Sequence, residues 1–270
     1  MRIALYQCPP LPLDPEANLE RLHQRAAEAA QHGARLLITP EMFLSGYDIG
    51  LEAVQRLAQP ADGDWAARIA GIAREHGIAV LYGYPERDDT GALYNAVQLI
   101  DARGERLGHY RKTHLFGELD RGMFSAGEDL SPLVELEGWK LGLLVCYDVE
   151  FPENVRRLAL AGADAVLVPT ANMVPFDFVC EVLVRARAIE TQCYLLAAGQ
   201  GGVHPGPRET HGHSSIVDPW GRVLAEAGKG EAVLLARRDA EEQRAIRQRM
   251  PVTAHRRFKT PAEPAPVITE

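Results

Sequence analysis

The chain has 270 residues, 46% of them apolar and 24% charged, which are ordinary proportions for a soluble globular protein. A formal net charge of -8 and a pI near 5.6 argue against a nucleic-acid-binding surface, and no apolar run is long enough to cross a bilayer. The four cysteines (Cys8, Cys146, Cys180, Cys193) form neither a CxxC pair nor a disulfide framework, so reduced thiols in the cytoplasm are expected.

Residues 2–8 read as a first strand, broken by Pro9 and Pro10 and too short for a signal peptide. Asp14 followed by Pro15 and Glu16 predicts a helix start. Leu19, Leu22, Ala26, Ala29 and Ala30 form its apolar stripe, and Gly33 ends it. Residues 35–39 predict a second buried strand. Asp62 or Asp64 is expected to cap the next helix, which stops at His76 and Gly77. Strands are expected over 78–84, 92–100 and 105–110, the last two joined as a hairpin at 102–104.

Residues 141–145 are a short apolar run of the kind that fills a strand buried on both faces. Pro152, flanked by Glu150 and Glu153, then suits the first turn of a helix that stops at Gly162. Cys146 therefore falls at the end of a buried strand, the edge where open α/β sheets bind ligands. Further strands are expected over 165–168, 193–198 and 232–235, a helix over 178–191, and a hairpin over 216–224. Residues 33–40 and 162–169 resemble each other, which suggests two βαβ-like halves. No domain linker is evident. One domain over 1–250 is expected, followed by a tail, 251–270, that is either frayed or in contact with another subunit.

Three polar residues follow strand-like segments: Glu41 after Pro40, Lys112 in Tyr-Arg-Lys-Thr-His, and Cys146 in Cys-Tyr-Asp-Val-Glu-Phe-Pro-Glu. Singly, each charge reads as a salt bridge and the thiol as core packing. Together they are the parts of acyl transfer. These blocks resemble the three signature blocks of the nitrilase superfamily of carbon–nitrogen hydrolases, over residues 1 to about 250. Blocks 41–50, 82–87, 110–121, 136–140 and 169–173 resemble the branch of bacterial 5-aminopentanamidases, and the likeness fades across 200–213.

The resemblance implies an α/β fold, a four-layer α-β-β-α sandwich in which Glu41, Lys112 and Cys146 meet at one pocket. It implies a cysteine-dependent amidase acting on a small linear amide, with 5-aminopentanamide, an intermediate of lysine breakdown, as the expected substrate. A homodimer or larger homo-oligomer is implied as well. Glu41 would serve as base, Cys146 as nucleophile, and Lys112 with the Tyr147 backbone N–H would hold the oxyanion. An auxiliary acid is left open between Glu118, which keeps the side chain and is preferred, and Asp120, which keeps the spacing. Tyr47, Asn172, Met173 and Asp177 are expected to line the substrate.

No cofactor and no metal are expected, nor any nucleic-acid or membrane partner. His204, His211 and His213 read as a polar loop, because no carboxylate or cysteine partner has suitable spacing. Residues 199–202 lack a dinucleotide fingerprint. Arg185, Arg187 and Glu190 read as ion pairs on a helix face, and Cys8, Cys180 and Cys193 as core. Rival readings with the same site are a broad aliphatic amidase, an N-carbamoyl amine amidohydrolase, an omega-amidase and a nitrilase. From another class, an inactive binding protein on this fold remains.

Overall fold

The computed structural model of the chain describes residues 1–128, 133–202 and 209–257. β1 (Arg2–Gln7) leads into α1 (Pro15–Gln31), which Asp14 caps by accepting a hydrogen bond from the Ala17 N–H at 3.0 Å. β2 (Leu36–Ile38) lies parallel to β1. A short helix not anticipated from the pattern, α2 (Leu51–Leu57), precedes α3 (Asp64–His76). Neither Asp62 nor Asp64 caps α3. Asp64 is its first residue, and Gln59 Oε1 takes the Trp65 N–H at 3.0 Å instead. Gly77, left-handed at φ 62°, ends the helix.

β3 (Ala79–Arg87), β4 (Leu93–Ile100) and β5 (Arg106–Arg111) pair antiparallel in succession. α4 (Gly117–Arg121), β6 (Val134–Leu136), β7 (Trp139–Leu143), α5 (Pro152–Leu160) and β8 (Ala165–Pro169) follow. The helix expected over 178–191 is interrupted: a π turn at Val179–Leu183 leads into α6 (Val184–Thr191). β9 (Tyr194–Ala198), β10 (Ser215–Val217), β11 (Val223–Glu226), β12 (Ala232–Arg237) and α7 (Ala240–Arg249) complete the described elements.

The strands form two six-stranded mixed sheets, ordered β12-β1-β2-β3-β4-β5 and β11-β10-β9-β8-β7-β6. The two similar segments, 33–40 and 162–169, contain β2 and β8, each parallel to the strand before its helix. Strand alternation then sets the layers. Ile3, Leu5, Leu36 and Ile38 join Leu141, Leu143 and Leu167 in the core between the sheets. Ala4, Tyr6 and Leu37 point the other way, onto Leu19 and Leu22 of α1 and Ile69 of α3. On the second sheet Gly142 leaves room for Leu158 of α5, and Val184 and Ala188 of α6 join the same core. The result is a four-layer α-β-β-α sandwich.

α7 docks on the second half, where Gln243 Nε2 donates to the carbonyls of Asp164 (2.9 Å) and Gln192 (3.0 Å). Of the expected tail, residues 258–270 lie outside the described residues. The four cysteines are free and buried, and among the described residues no helix is long and apolar enough to cross a membrane.

Gly83 of β3 faces the chain turn that carries Glu41. A Cβ there would sit 2.6 Å from the Met42 nitrogen and 2.9 Å from the Pro40 oxygen, both backbone atoms that cannot swing aside. Gly71, inside α3, has open space around it. Gly83→Ala is therefore expected to cost about 1–3 kcal/mol of unfolding free energy, through overpacking. Gly71→Ala should gain about 0.5–1 kcal/mol from helix propensity. Urea unfolding of the two variants measures both signs.

Candidate active site

Each of the three side chains singled out in the sequence sits just past a strand. Glu41 follows β2, Lys112 follows β5, and Cys146 lies three residues beyond β7. β2 and β5 belong to one sheet and β7 to the other, so the site is assembled across the interface between the sheets. β7 stops at Leu143 rather than running to Val145, and residues Cys146–Glu150 form a single 3-10 turn ahead of α5. Cys146 has φ +48°, a left-handed backbone that a residue with a Cβ rarely adopts. Strain of this kind persists only where the surroundings hold it.

Asp148 is that holder. It is fully buried and accepts hydrogen bonds from Tyr110 Oη, Thr113 Oγ1 and the His114 N–H, each at 2.9 Å, and from the Val145 N–H at 3.1 Å. One carboxylate thus ties the segment after β5, which bears Lys112, to the turn that bears Cys146. Arg187 braces the same turn from α6, donating to the carbonyls of Val149 (3.0 Å) and Glu150 (2.7 Å) while pairing with Glu190 at 3.2 Å. Arg185 does not join that ion pair; it donates to the Gly221 carbonyl at 3.1 Å.

At the centre, Lys112 Nζ lies 2.8 Å from Glu41 Oε1 and 2.7 Å from Asp120 Oδ2, with all three side chains fully buried. Burial opposes the ammonium, but the carboxylates around it prevail, and its pKa stands well above the ordinary lysine value. Glu41 is raised, by burial first and by the Asp120 charge, with Lys112 pulling the other way. Lys112 therefore stays cationic, while Glu41 holds a proton to higher pH than a solvated glutamate would. Asn95 Nδ2 also donates to Glu41 Oε1, at 2.7 Å. Glu41 Oε2 has no hydrogen-bond partner among the described residues, while the Cys146 thiol acts on this carboxylate to lower its pKa in part. Burial and the Glu41 charge push the Cys146 thiol up, more than Lys112 and the Thr170 hydroxyl bring it down. Thr170 Oγ1 lies 3.1 Å from Cys146 Sγ and 3.1 Å from Asn172 Oδ1, and its single proton serves one of them at a time.

Of the two candidate acids, Asp120 and not the preferred Glu118 faces Lys112. Glu118 lies in the first turn of α4, is 95% exposed, and faces Arg121 at 3.5 Å. Asp120, two residues on, is turned inward, where it takes Lys112, the Phe116 N–H (2.8 Å) and Tyr47 Oη (2.6 Å). Tyr47, expected at the substrate, is thus buried and committed to Asp120, with its ring 5.6 Å from Lys112 Nζ. Asn172 lies 3.7 Å from Cys146 Sγ and donates to Cys180 Sγ at 3.1 Å. Met173 is buried in an apolar cluster with Met42, Tyr47 and Phe124, against which Phe116 and Phe176 pack. Asp177 is 42% exposed, with its carboxylate 3.9 Å from His211 Nδ1. Tyr147 occupies the first turn of the 3-10 segment, where backbone N–H groups have no partner within the helix.

The loop after Gly199 borders the site. Gln200 Nε2 donates to the Glu41 carbonyl at 2.9 Å, and the His211 N–H to the Asn172 carbonyl at 3.2 Å. His204 lies outside the described residues. Sequence reasoning missed Asn95, Thr170, Asp148 and Glu150. Asp148 and Glu150 stand in the Cys146 block itself, where acids beside a buried strand were the available signal. Glu150 is half-buried, and burial raises its carboxyl while Lys112 and Arg187 hold it down.

The carbon–nitrogen hydrolase family profile matches residues 2–248. Similar proteins include the "Hydrolase in pqqF 5'region" of Pseudomonas protegens, 61% identical over 91% of this chain and 86% of that protein. The deaminated glutathione amidase of Rattus norvegicus is 38% identical, covering 90% of this chain and 78% of its own length. The 2-oxoglutaramate amidase of Bacillus subtilis is 32% identical, covering 88% and 90%. Among solved structures, the amidase of Nesterenkonia sp. AN1 superposes with a TM-score of 0.82 at 36% identity, over 95% of this chain and 96% of that one. A double mutant of that amidase in complex with acrylamide superposes with a TM-score of 0.82 at 35% identity, over 95% and 94%.

The upward shift of the Cys146 thiol predicts how it reacts. Its modification by a small neutral methanethiosulfonate, followed by mass spectrometry of the Cys146 peptide, should keep accelerating through about pH 9, where an ordinary thiol of pKa ~8.5 begins to level off. A plateau below pH 8 would mean a preformed thiolate.

Proposed function

The chain belongs to the carbon–nitrogen hydrolase family of the nitrilase superfamily and is a cysteine-dependent amidase by class; we propose that Glu41, Lys112 and Cys146 carry its chemistry and that its substrate is a short linear amide with a cationic far end. The observation that supports the roles is what remains unused in the buried cluster. Glu41 Oε1 is taken by Lys112 and Asn95, which leaves Oε2 for the thiol proton. An ammonium has three N–H donors, of which Glu41 and Asp120 engage two, leaving one for an oxyanion.

In the mechanism we infer, Glu41 takes the Cys146 proton as Sγ bonds to the amide carbon. The thiol is neutral at rest, so proton removal and attack belong to one step. The carbonyl oxygen becomes an oxyanion held by Lys112 Nζ and the Tyr147 N–H. Glu41 returns the proton to nitrogen, the C–N bond breaks, and ammonia leaves a thioester on Cys146. Water, deprotonated by Glu41, then attacks the thioester, and the carboxylic acid departs as Sγ regains its proton. Asp120 acts through Lys112, fixing its position and charge.

Cys146→Ala and Glu41→Gln should each lose about 10⁴-fold or more in turnover while remaining folded by circular dichroism. Lys112→Ala should lose about 10²–10³-fold, mainly in kcat, since an oxyanion contact acts in the transition state. The base works only when ionised, and its pKa is raised, so activity should fall with decreasing pH above the ordinary glutamate value of about 4.3. Asp120→Asn removes a charge that raises Glu41, so in that variant the acid limb should move to lower pH. A limb that stays in place would separate Asp120 from Glu41.

For the substrate we favour 5-aminopentanamide, which would place the protein in lysine breakdown. Support comes from Glu150, a half-buried acid close enough to Lys112 to feel its charge, while Asp177 is more open. An ammonium entering such a site needs a carboxylate to offset its desolvation, and a substrate carboxylate would be repelled. The names of the relatives point to amides of acids, and the complex of the solved neighbour to a small neutral amide, so the panel must contain all three types. Ammonia release should favour 5-aminopentanamide over pentanamide and glutaramate by about 10–100-fold, or ~1.5–3 kcal/mol for a charge-assisted bond. Glu150→Gln should shrink that ratio. Preference for glutaramate would assign an omega-amidase, equal rates a broad aliphatic amidase, and preference for N-carbamoylputrescine or a nitrile a neighbouring branch. Four buried free thiols suit a reducing cytoplasm, and the family resemblance leads us to expect a homodimer or larger assembly.

A further inference from the structure

A second cluster of ligating side chains lies on the outer helical layer. α1 and α3 pack side by side over the first sheet, through Leu19, Leu22 and Ala26 on one and Trp65, Ile69 and Ala73 on the other. Where α3 ends, His23 of α1 meets Glu75 and His76. Glu75 Oε1 lies 3.1 Å from His23 Nε2 and 3.9 Å from His76 Nε2, and the imidazole centroids are 4.8 Å apart. One ligand atom from each residue falls within 4.8 Å of the other two. His76 Nε2 is buried and has no hydrogen-bond partner, a costly state for a ring nitrogen that faces a carboxylate and a second imidazole. None of the three residues belongs to the Glu41–Lys112–Cys146 cluster.

We propose that His23, Glu75 and His76 form a binding site for one divalent transition-metal ion, zinc foremost, with water completing its coordination. Two imidazoles and a carboxylate are a donor set that zinc takes in four-coordinate sites. With metal–ligand bonds of about 2.0–2.2 Å, donor atoms at tetrahedral corners stand roughly 3.3–3.5 Å apart. The carboxylate stands 3.1 and 3.9 Å from the two imidazole nitrogens, distances that bracket that spacing, and within the 4.8 Å span of the three donor atoms side-chain rotation has to bring the imidazoles closer together. Glu75, 60% exposed, has the freedom to follow them, and the groove containing His23 and Glu75 opens to solvent, which admits the ion. Arg68 of the same groove does not compete with the metal, since Glu16 engages it through two hydrogen bonds. The bound ion would clip α1 to α3 across 52 residues of sequence and would take no part in amide hydrolysis.

The test uses untagged protein carrying Cys146→Ala, so that neither a tag nor that thiol ligates metal. Calorimetric titration with zinc should show one saturable site and a rise in Tm. Cobalt(II) should give the visible absorption of a four-coordinate site. His23→Asn and Glu75→Gln should each weaken zinc binding by at least ~10-fold, since loss of even an outer partner of a ligand costs that much. Glu75→Gln is the safeguard for folding, because that side chain faces solvent. Wild-type amide hydrolysis should survive EDTA, while its Tm falls. No saturable binding at roughly millimolar zinc would overturn the site. Binding unchanged in both variants would overturn it equally, because the ion would then lie elsewhere.

Discussion

The structure turns on a lysine ammonium whose side chain is fully buried. Isolated, such a charge would not survive burial, and removing one partner of a buried pair typically costs about 3–5 kcal/mol. Lys112 survives because Glu41 and Asp120 flank it at 2.8 and 2.7 Å. The same requirement organises everything near it. Asp120 must be turned inward, so α4 presents it to Lys112 and Tyr47 fixes its second oxygen. Glu41 must approach from β2, so β3 carries glycine where the chain of residues 40–42 passes. One buried network thus holds the ammonium and both carboxylates, and it leaves Glu41 Oε2 without a partner among the described residues.

Cys146 is placed by a second, independent constraint. Its left-handed backbone is unfavourable by itself and is enforced by the turn that Asp148 closes from within. Because Asp148 also holds Thr113 and the His114 N–H, the positions of Cys146 and Lys112 are mechanically linked. Arg187 adds a brace from α6, so a residue that reads as part of an ion-pair set on a helix face supports the turn of Cys146. The pKa directions agree with a site poised but not discharged: a neutral thiol, a glutamate reluctant to ionise and a firmly charged lysine.

The sandwich makes this geometry possible by supplying the three side chains from two sheets. Each half contributes a βαβ unit with one of these side chains just past a strand: Glu41 beyond β2, Cys146 beyond β7. The apolar face between the sheets is continuous up to that point, and Cys146 and Val149 are themselves part of it. That apolar surrounding is why the desolvation effects are large.

Much was legible in the sequence because it is local. Alternating and continuous apolar runs marked most of the strands, Asp14–Pro15 marked α1, and Pro152 and Gly162 bracketed α5. Glu41, Lys112 and Cys146 stood out because each follows a strand and because their blocks resemble those of a known superfamily. What the chain pattern could not decide is which side chains meet. Glu118 and Asp120 are two residues apart on a short helix, and a rotation of about 200° separates their directions, so only the packing of α4 decided which faces Lys112. Gln59 rather than an aspartate accepts the Trp65 N–H at the start of α3, Asn95 and Thr170 reach Glu41 and Cys146 from separate elements, and Asp148 holds the turn of Cys146 to the segment after β5. Periodicity along the chain determines each element and its buried face. The contacts between side chains tens of residues apart arise only when loop lengths and sheet order bring those faces together, and that information is spread over the whole fold.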